Sequence, residues 1–339
     1  MRHRGGGGRR VVCAAHSAKR DVPLALTFII PVLNGERFIG RCLEHLRQEI
    51  WPGDQVIVVD NGSKDGTLEI VRASPDVTVI EVPLVTIAGL RNRGAAAATN
   101  NVLAFIDADC LVEARWRESV ERVLSDPAVS ATGSYYDVPA ASTWVERAWW
   151  SFRPLHEHRT TFLISGNFVV RKEMFDRVGG FDETLVTDED TDISRRLIAA
   201  GAILIEAPSA RVVHLGNAKT LRQLFRKEKW HATSILDTMR MHRVDRPMLL
   251  TFVFIACCVF AAAILVLGLA GHYTPIAIAA LILLAPATTA AYKVFTSGNY
   301  RYFFHLLPLY LIVYMARTTV LVQALVRPAR SVARPRALV

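Results

Sequence analysis

Residues 102–110 read VLAFIDADC, an apolar run that ends on Asp107 and Asp109, two carboxylates separated by one alanine. An isolated D-x-D is most often a turn, because Asp bonds its own backbone. Paired carboxylates at one point also gather a divalent cation. Mg²⁺ and Mn²⁺ take oxygen ligands, and Mg²⁺ commonly combines one or two carboxylates with substrate phosphates. The surrounding sequence decides between the two readings.

Working outward, the run is one of a series. Residues 24–34 (LALTFIIPVLN) form a short apolar segment stopped by Pro and Asn, which predicts a buried strand. Residues 36–49 carry Phe38, Ile39, Cys42, Leu43 and Leu46 at helical spacing. Residues 54–67 (DQVIVVDNGSKDGT) predict a second strand and a polar turn, and residues 77–82 (VTVIEV) a third strand. A helix over 88–100, starting near Gly89, leads into the quoted run as the fourth strand. Strands alternating with helices through short polar turns predict an α/β fold with a mainly parallel sheet. Such sheets bind ligands off the carboxyl ends of their strands. Asn34, Asp60 and the DAD triplet all fall at such ends. Further on, residues 161–183 predict a strand, a short helix and a turn at Gly179–Gly180. Residues 187–216 predict an acidic loop, a helix through Ile193, Leu197 and Ile198, and then strands.

The chain has 339 residues and a formal net charge of +9. The basic excess does not describe a nucleic-acid groove. Residues 1–22 hold six basic residues and one acidic, and 327–339 hold four basic and none acidic, so the two tails carry the whole excess. Residues 23–218 are net −8, and 219–246 net +5, placing positive charge beside the most apolar part of the chain. Residues 249–270 run 22 long without a charge, the span of a bilayer core. Residues 275–292 are also uncharged, and 302–326 are apolar but carry His305, Pro308, Arg317 and Gln323. Positive charge flanking apolar spans marks the cytoplasmic side of a membrane. The expected organisation is a basic disordered tail (1–22), an α/β domain (23–218), a basic amphipathic interfacial helix (219–246), membrane helices (247–326) and a basic tail (327–339). Three full spans would put the arginine-rich end outside, so two spans and an interfacial third segment are expected. Five cysteines without a paired framework fit a reducing compartment. The first 22 residues have no apolar core and do not read as a signal peptide.

At this point the chain resembles the family 2 inverting glycosyltransferases of the GT-A fold, over about residues 26–216. The resemblance is carried in order by IIPVLNGERFIGRCLEHL, VVDNGSKDGT, RNRGAAAATNNVLAFIDADC, SGNFVVRKEMFDRVGGFDE and DEDTDISRRLIAAG. It implies that Pro31, Asn34 and Glu36 hold the nucleotide and that Asp60 bonds its base, typically uracil. By the same resemblance Arg91 approaches the nucleotide or phosphates, Asp107 faces the ribose or donor sugar, and Asp109 ligates Mg²⁺ or Mn²⁺. His214 matches a position that sometimes completes the metal shell; a packed strand histidine is the other reading. Glu189 and Asp190 match the base motif, with Asp190 as the catalytic base. Two departures stand out. Residue 35 is Gly where a second acidic residue is common. The stretch RKEKW (226–230) lacks the glutamine of the processive synthases' Q-x-x-R-W motif, so single-sugar transfer fits better than long-chain polymerisation.

The chemistry has its own logic. A departing nucleoside diphosphate gathers negative charge, which a divalent cation stabilises. The attacking hydroxyl must lose a proton on the opposite face, and a carboxylate can take it. One displacement from that face inverts the anomeric carbon, as in inverting hydrolases. Asp107 and Asp109 serve the first need, and the cluster Asp188, Glu189, Asp190 and Asp192 the second; Asp188 or Asp192 can also cap a helix start. The expected donor is a nucleotide sugar, and the acceptor is lipid-linked or a membrane-associated glycan. A non-catalytic membrane scaffold for nucleotide sugars and a sugar nucleotidyltransferase are the alternatives. Residues 142–159, with their tryptophans, His156 and His158, read as an acceptor-side loop whose aromatics are structural by default.

Overall fold

The computed structural model of the protein describes residues 24–233, 246–267 and 274–326. The four anticipated strands are present as β1 (Leu26–Val32), β2 (Gln55–Asp60), β3 (Val77–Glu81) and β4 (Val102–Ile106). They are joined by α1 (Ile39–Arg47), α2 (Thr67–Arg72) and α3 (Ile87–Ala96). All four lie parallel in the order β3-β2-β1-β4. The chain winds outward from β1 to β3, then returns to add β4 on the other side of β1. The order therefore reverses between β1 and β4, which opens a crevice at their carboxyl ends. Pro31 is tolerated in central β1 because the last β1–β4 partners are Ile29 and Phe105, so its missing N–H falls beyond that ladder.

Both faces of this sheet are covered, which explains the nearly continuous apolar strands. Alternate residues go to opposite faces. Phe28, Ile30, Val58 and Ala104 pack with Ile39, Cys42 and Leu46 of α1, while Ile29, Ile57, Leu103 and Phe105 pack on the other face with Leu90, Phe175 and Phe181.

The second half supplies β5 (Cys110–Val112), α4 (Trp116–Leu124), β6 (Val129–Gly133), α5 (Trp144–Trp149), β7 (His158–Arg159) and β8 (Asn167–Arg171). It continues with α6 (Lys172–Arg177), α7 (Glu189–Ala199), β9 (Ile203–Glu206) and β10 (Val212–His214). The sheet goes on as β8-β6-β9-β7, with β8 antiparallel to both β4 and β6, so the whole is mixed. Two local readings need correction. The DAD triplet stands outside β4, in the turn between it and β5, and the 142–159 stretch contains a helix. That helix, α5, is fixed by a capping box in which Thr143 and Glu146 satisfy each other's backbone N–H. Gly179 and Gly180 form the expected turn, both at positive φ.

Beyond β10 come α8 (Leu221–His231), α9 (Arg246–Val266), α10 (Thr274–Ser297), a 3₁₀ turn at Tyr300–Tyr302 and α11 (Phe303–Val326). Three of these helices are long and apolar enough to cross a membrane by length and composition. The third differs from the others: 44% of its most apolar window is buried against 17% in each of the first two, because it packs on α8 and α5. It runs unbroken through Pro308, and Arg317 finds a counter-charge in Glu228 of α8 at 4.0 Å. The tails at 1–22 and 327–339, and residues 234–245 of the anticipated interfacial helix, lie outside the described residues.

Candidate active site

The crevice between β1 and β4 is edged by the anticipated residues. After β1, Asn34 adopts a left-handed backbone (φ 51°), which Asn tolerates better than most residues. Its amide oxygen accepts from the Lys64 N–H at 2.8 Å, and its own N–H donates to Ser63 Oγ at 2.8 Å. Glu36 accepts from the Gly66 N–H at 3.1 Å and donates its N–H to Asp65. Asp60, fully buried at the end of β2, accepts from the N–H groups of Gly62 and Ser63 and from the Ser63 hydroxyl. Asn34, Glu36 and Asp60 thus lock the loops after β1 and β2 to each other, and Pro31 is buried at their root.

Across the crevice, Arg91 of α3 is almost wholly buried. One guanidinium nitrogen donates to Asp107 Oδ1 and the other to Glu189 Oε1, both at 2.7 Å. The DAD turn and the acidic start of α7, some eighty residues apart in sequence, therefore meet on one side chain. The second Asp107 oxygen accepts from Tyr136 Oη at 3.0 Å. Burial pushes the Asp107 carboxyl up, yet Arg91 and His214 together hold it below its ordinary value. The fit is close: a Cβ on Gly166 would fall 2.1 Å from both Asp107 Oδ2 and the Tyr136 hydroxyl, so only glycine is accommodated there.

Asp109 faces His214, with Oδ2 at 3.3 Å from Nε2. The small β5–β10 sheet makes this contact, since its register sets His214 opposite Cys110. His214 is buried, stacks on Tyr136 at 4.4 Å, and contacts Asn217 Oδ1 through Nδ1 at 2.9 Å. Burial lowers its pKa, which favours the neutral imidazole that metals require. Cys110 Sγ joins Asp109 and His214 in a group whose donor atoms lie within 4.8 Å of one another, but burial and the two aspartates keep its thiol protonated. Gly216 completes the cradle, because a Cβ there would lie 2.0 Å from Asp109 Oδ2. One carboxylate, one neutral imidazole and a side-chain-free backbone beside them fit a divalent cation of the Mg²⁺ or Mn²⁺ type.

The acidic cluster divides its work. Glu189 is buried and tied to Arg91 and to Ser165 Oγ at 3.0 Å. Asp192 pairs with Arg195 and Arg196. The anticipated cap is absent, since Asp188 precedes α7 at φ 65° without a side-chain capping bond. Asp190, half-buried, accepts from the Thr191 N–H at 2.8 Å. Burial first, and then neighbouring Glu189 and Asp188, push its carboxyl from 3.8 to about 7. That value suits a group that takes a proton near neutrality. Burial, Glu206 and Asp190 also push the nearby Tyr135 phenol up to about 12.

Tyr136, Gly216 and Asn217 lie outside the blocks that carry the resemblance, and Ser165 and Gly166 open one of them without standing out chemically. Their only trace in the sequence is position: Ser165 and Gly166 open the SGN triplet before β8, and Gly216 and Asn217 follow His214.

Comparison with known proteins bears on the domain that carries these residues. Residues 27–181 match the family model for glycosyl transferase family 2. A pre-mycofactocin glycosyltransferase of Mycobacterium tuberculosis is 33% identical over 213 residues, 58% of this chain and 43% of its own length. The chain therefore spans less than half of that relative. Glycosyltransferase AglE of Haloferax volcanii is 28% identical over 65% of this chain and 77% of its own. The solved mannosyltransferase PcManGT from Pyrobaculum calidifontis, in complex with GDP-Man and Mn²⁺, shares the fold with a TM-score of 0.57 at 20% identity, over 90% of this chain and 88% of that one. With its matched domain and its mixed sheet, the chain carries a family 2 glycosyltransferase domain over residues 27–181 and has the GT-A fold.

Proposed function

We propose that the protein is a metal-dependent inverting glycosyltransferase that moves one sugar from a nucleoside-diphosphate donor, a UDP-sugar in the first instance, to a lipid-linked or membrane-associated glycan acceptor. The observation that supports this reading is Arg91 bridging Asp107 and Glu189, which ties the DAD turn to the start of α7, where Asp190 follows Glu189.

In this reading the loops after β1 and β2, held by Asn34, Glu36 and Asp60, form the nucleotide end of the crevice. Asp107 is aligned towards the ribose and donor sugar by Arg91 and Tyr136. Asp109 and His214 hold Mg²⁺ or Mn²⁺, which when bound offsets the charge that builds on the diphosphate. Asp190 takes the acceptor hydroxyl's proton; the acceptor oxygen attacks the anomeric carbon from the face opposite the diphosphate, whose bond to that carbon breaks as the nucleoside diphosphate leaves, so the configuration inverts. Glu189, held by Arg91 and Ser165, keeps α7 in place and raises the proton affinity of Asp190. The catalytic domain is read as cytoplasmic, with α8 at the membrane surface and α9 and α10 spanning it.

The test is a panel of nucleotide sugars with purified protein in detergent, with Mn²⁺, with Mg²⁺ and with chelator. Donor turnover that needs the metal and is lost in Asp190→Asn supports the reading. Turnover unchanged by chelator, or by Asp190→Asn, overturns it. The product's anomeric configuration, read by NMR, decides inversion.

A further inference from the structure

The Asn217 amide touches three groups, and each limits what it can be. Trp150 Nε1 lies 2.9 Å from Asn217 Oδ1, and an indole nitrogen only donates. Asn217 Nδ2 lies 2.8 Å from the His214 carbonyl oxygen, which only accepts. Both contacts require the same orientation of the amide. Its oxygen also lies 2.9 Å from His214 Nδ1, and an oxygen acceptor there calls for a proton on that nitrogen. In the neutral ring the other nitrogen, Nε2, is then a bare lone pair, and it faces the carboxylate oxygen of Asp109 at 3.3 Å. Two acceptors turned towards each other without a proton between them make a poor hydrogen bond and a good pair of cation ligands.

We infer that Trp150 and Asn217 are positioning residues that lock His214 with its proton on Nδ1 and its Nε2 lone pair aimed at the cation. The inference rests on the metal reading of Asp109 and His214 above. It also gives α5 a role. Trp150 follows directly on α5, and its ring packs edge-on to Tyr136 at 5.4 Å, so one side chain both backs the Tyr136 ring that stacks on His214 and donates to Asn217. α5 is in turn seated on α11, with Trp149 against Tyr310 at 5.9 Å and Val145 and Ala148 in one apolar cluster with Leu306 and Leu309. The nitrogen ligand of the domain is thus held, through two side chains, by a helix that rests on the apolar bundle.

The experiment uses the full chain in detergent, Mn²⁺ alone as probe, and electron paramagnetic resonance of the free ion to read binding. Asn217→Leu should weaken Mn²⁺ binding on the order of 10–100-fold, the range for lost partners of metal-ligating histidines. Trp150→Phe keeps the ring and removes only the N–H, and should weaken it less, by several-fold. Trp51→Phe, before β2 against Arg117 and outside both the relay and the seat of α5, should bind as wild type. A second readout needs no metal: the imidazole ¹⁵N spectrum, with the His214 signal assigned by its loss in His214→Gln. The proton should sit on Nδ1 in the wild type and be shared between the nitrogens in Trp150→Phe. Equal Mn²⁺ affinity in wild type, Trp150→Phe and Asn217→Leu overturns the relay while leaving the metal site standing, as does a wild-type proton on Nε2. A wild type that binds no Mn²⁺ removes the metal reading and the relay with it.

Discussion

Arg91 of α3 and Glu189 at the start of α7 are joined at 2.7 Å inside the protein, and the same guanidinium holds Asp107 at 2.7 Å. A carboxylate that ends the β4 segment and one that begins a helix eighty residues later are kept at fixed separation by a rigid planar fork. Phe181 backs the fork, its ring centroid 5.5 Å from the guanidinium carbon. Asp190, next to Glu189, inherits that placement.

Removing the fork leaves two carboxylates buried without their cation. Arg91→Met should lower stability by about 3–5 kcal/mol, the usual result of breaking a buried ion pair from one side. Arg91→Lys keeps the charge but cannot span both partners, so it should recover part of the stability and little of the transfer rate. Chemical unfolding in detergent and initial-rate assays read the two effects. A fully active Arg91→Lys protein would show that the span between the carboxylates is dispensable.

Asp190 carries a pH prediction whose sign is fixed. Its carboxyl titrates at about 7, and only the ionised form can take a proton. Transfer should therefore rise with pH through about 7 and flatten above, falling tenfold per unit below. Asp190→Asn should lower the rate on the order of 10²–10⁴-fold. Stability runs the other way. A carboxyl whose folded pKa lies above its unfolded value supports folding at low pH and loses that support as pH rises through about 7. Asp190→Asn should thus gain more in Tm at pH 8 than at pH 5, and a gain larger at pH 5 would refute the raised carboxyl.

How much of this could be read in the sequence divides by range. β1 to β4 and their helices were legible because their apolar runs are short, bounded by polar turns and buried on both faces. The carboxylates were legible because D-x-D and the acidic DED cluster stand out chemically. β6 and the antiparallel β8 were harder: Val129–Gly133 is the five-residue VSATG, with no period to mark it, and pairing with β4 is decided by distant chain. Tyr136, Ser165 and Asn217 are ordinary residues whose roles arise only where β5, β10 and the loop before β8 converge. Helix α5 reads as loop because six residues give too few turns for a periodic signal, and the Thr143–Glu146 capping box is its one local mark.

The two glycines beside the carboxylates are separable from backbone strain, since neither Gly166 nor Gly216 has positive φ. Gly216→Ala should act through its Cβ alone, which meets Asp109 Oδ2 at 2.0 Å and displaces it from His214. Mn²⁺ affinity should fall about tenfold, in the range of other disturbances around metal ligands. Gly40→Ala is the control, because its Cβ would find Ile70 at an ordinary 3.6 Å. Isothermal titration with Mn²⁺ checks both, and unchanged affinity in Gly216→Ala would remove Asp109 from the ligand set.

The last prediction concerns the join between the domain and the apolar helices. Glu228 of α8 is buried, and burial raises its carboxyl pKa while Arg317 opposes the rise. At 4.0 Å the pair is a charge contact rather than a short hydrogen bond. Arg317→Leu alone leaves a buried carboxylate without its counter-charge and should lower stability on the order of 2 kcal/mol. Adding Glu228→Leu removes the stranded charge from the same apolar seam, where Leu224 and Tyr310 already pack. The double variant should therefore recover most of the loss, since a buried pair replaced by apolar side chains is often neutral. Additive losses in a thermal double-mutant cycle would mean that the two side chains do not act together, and that apolar contacts alone hold α8 to α11.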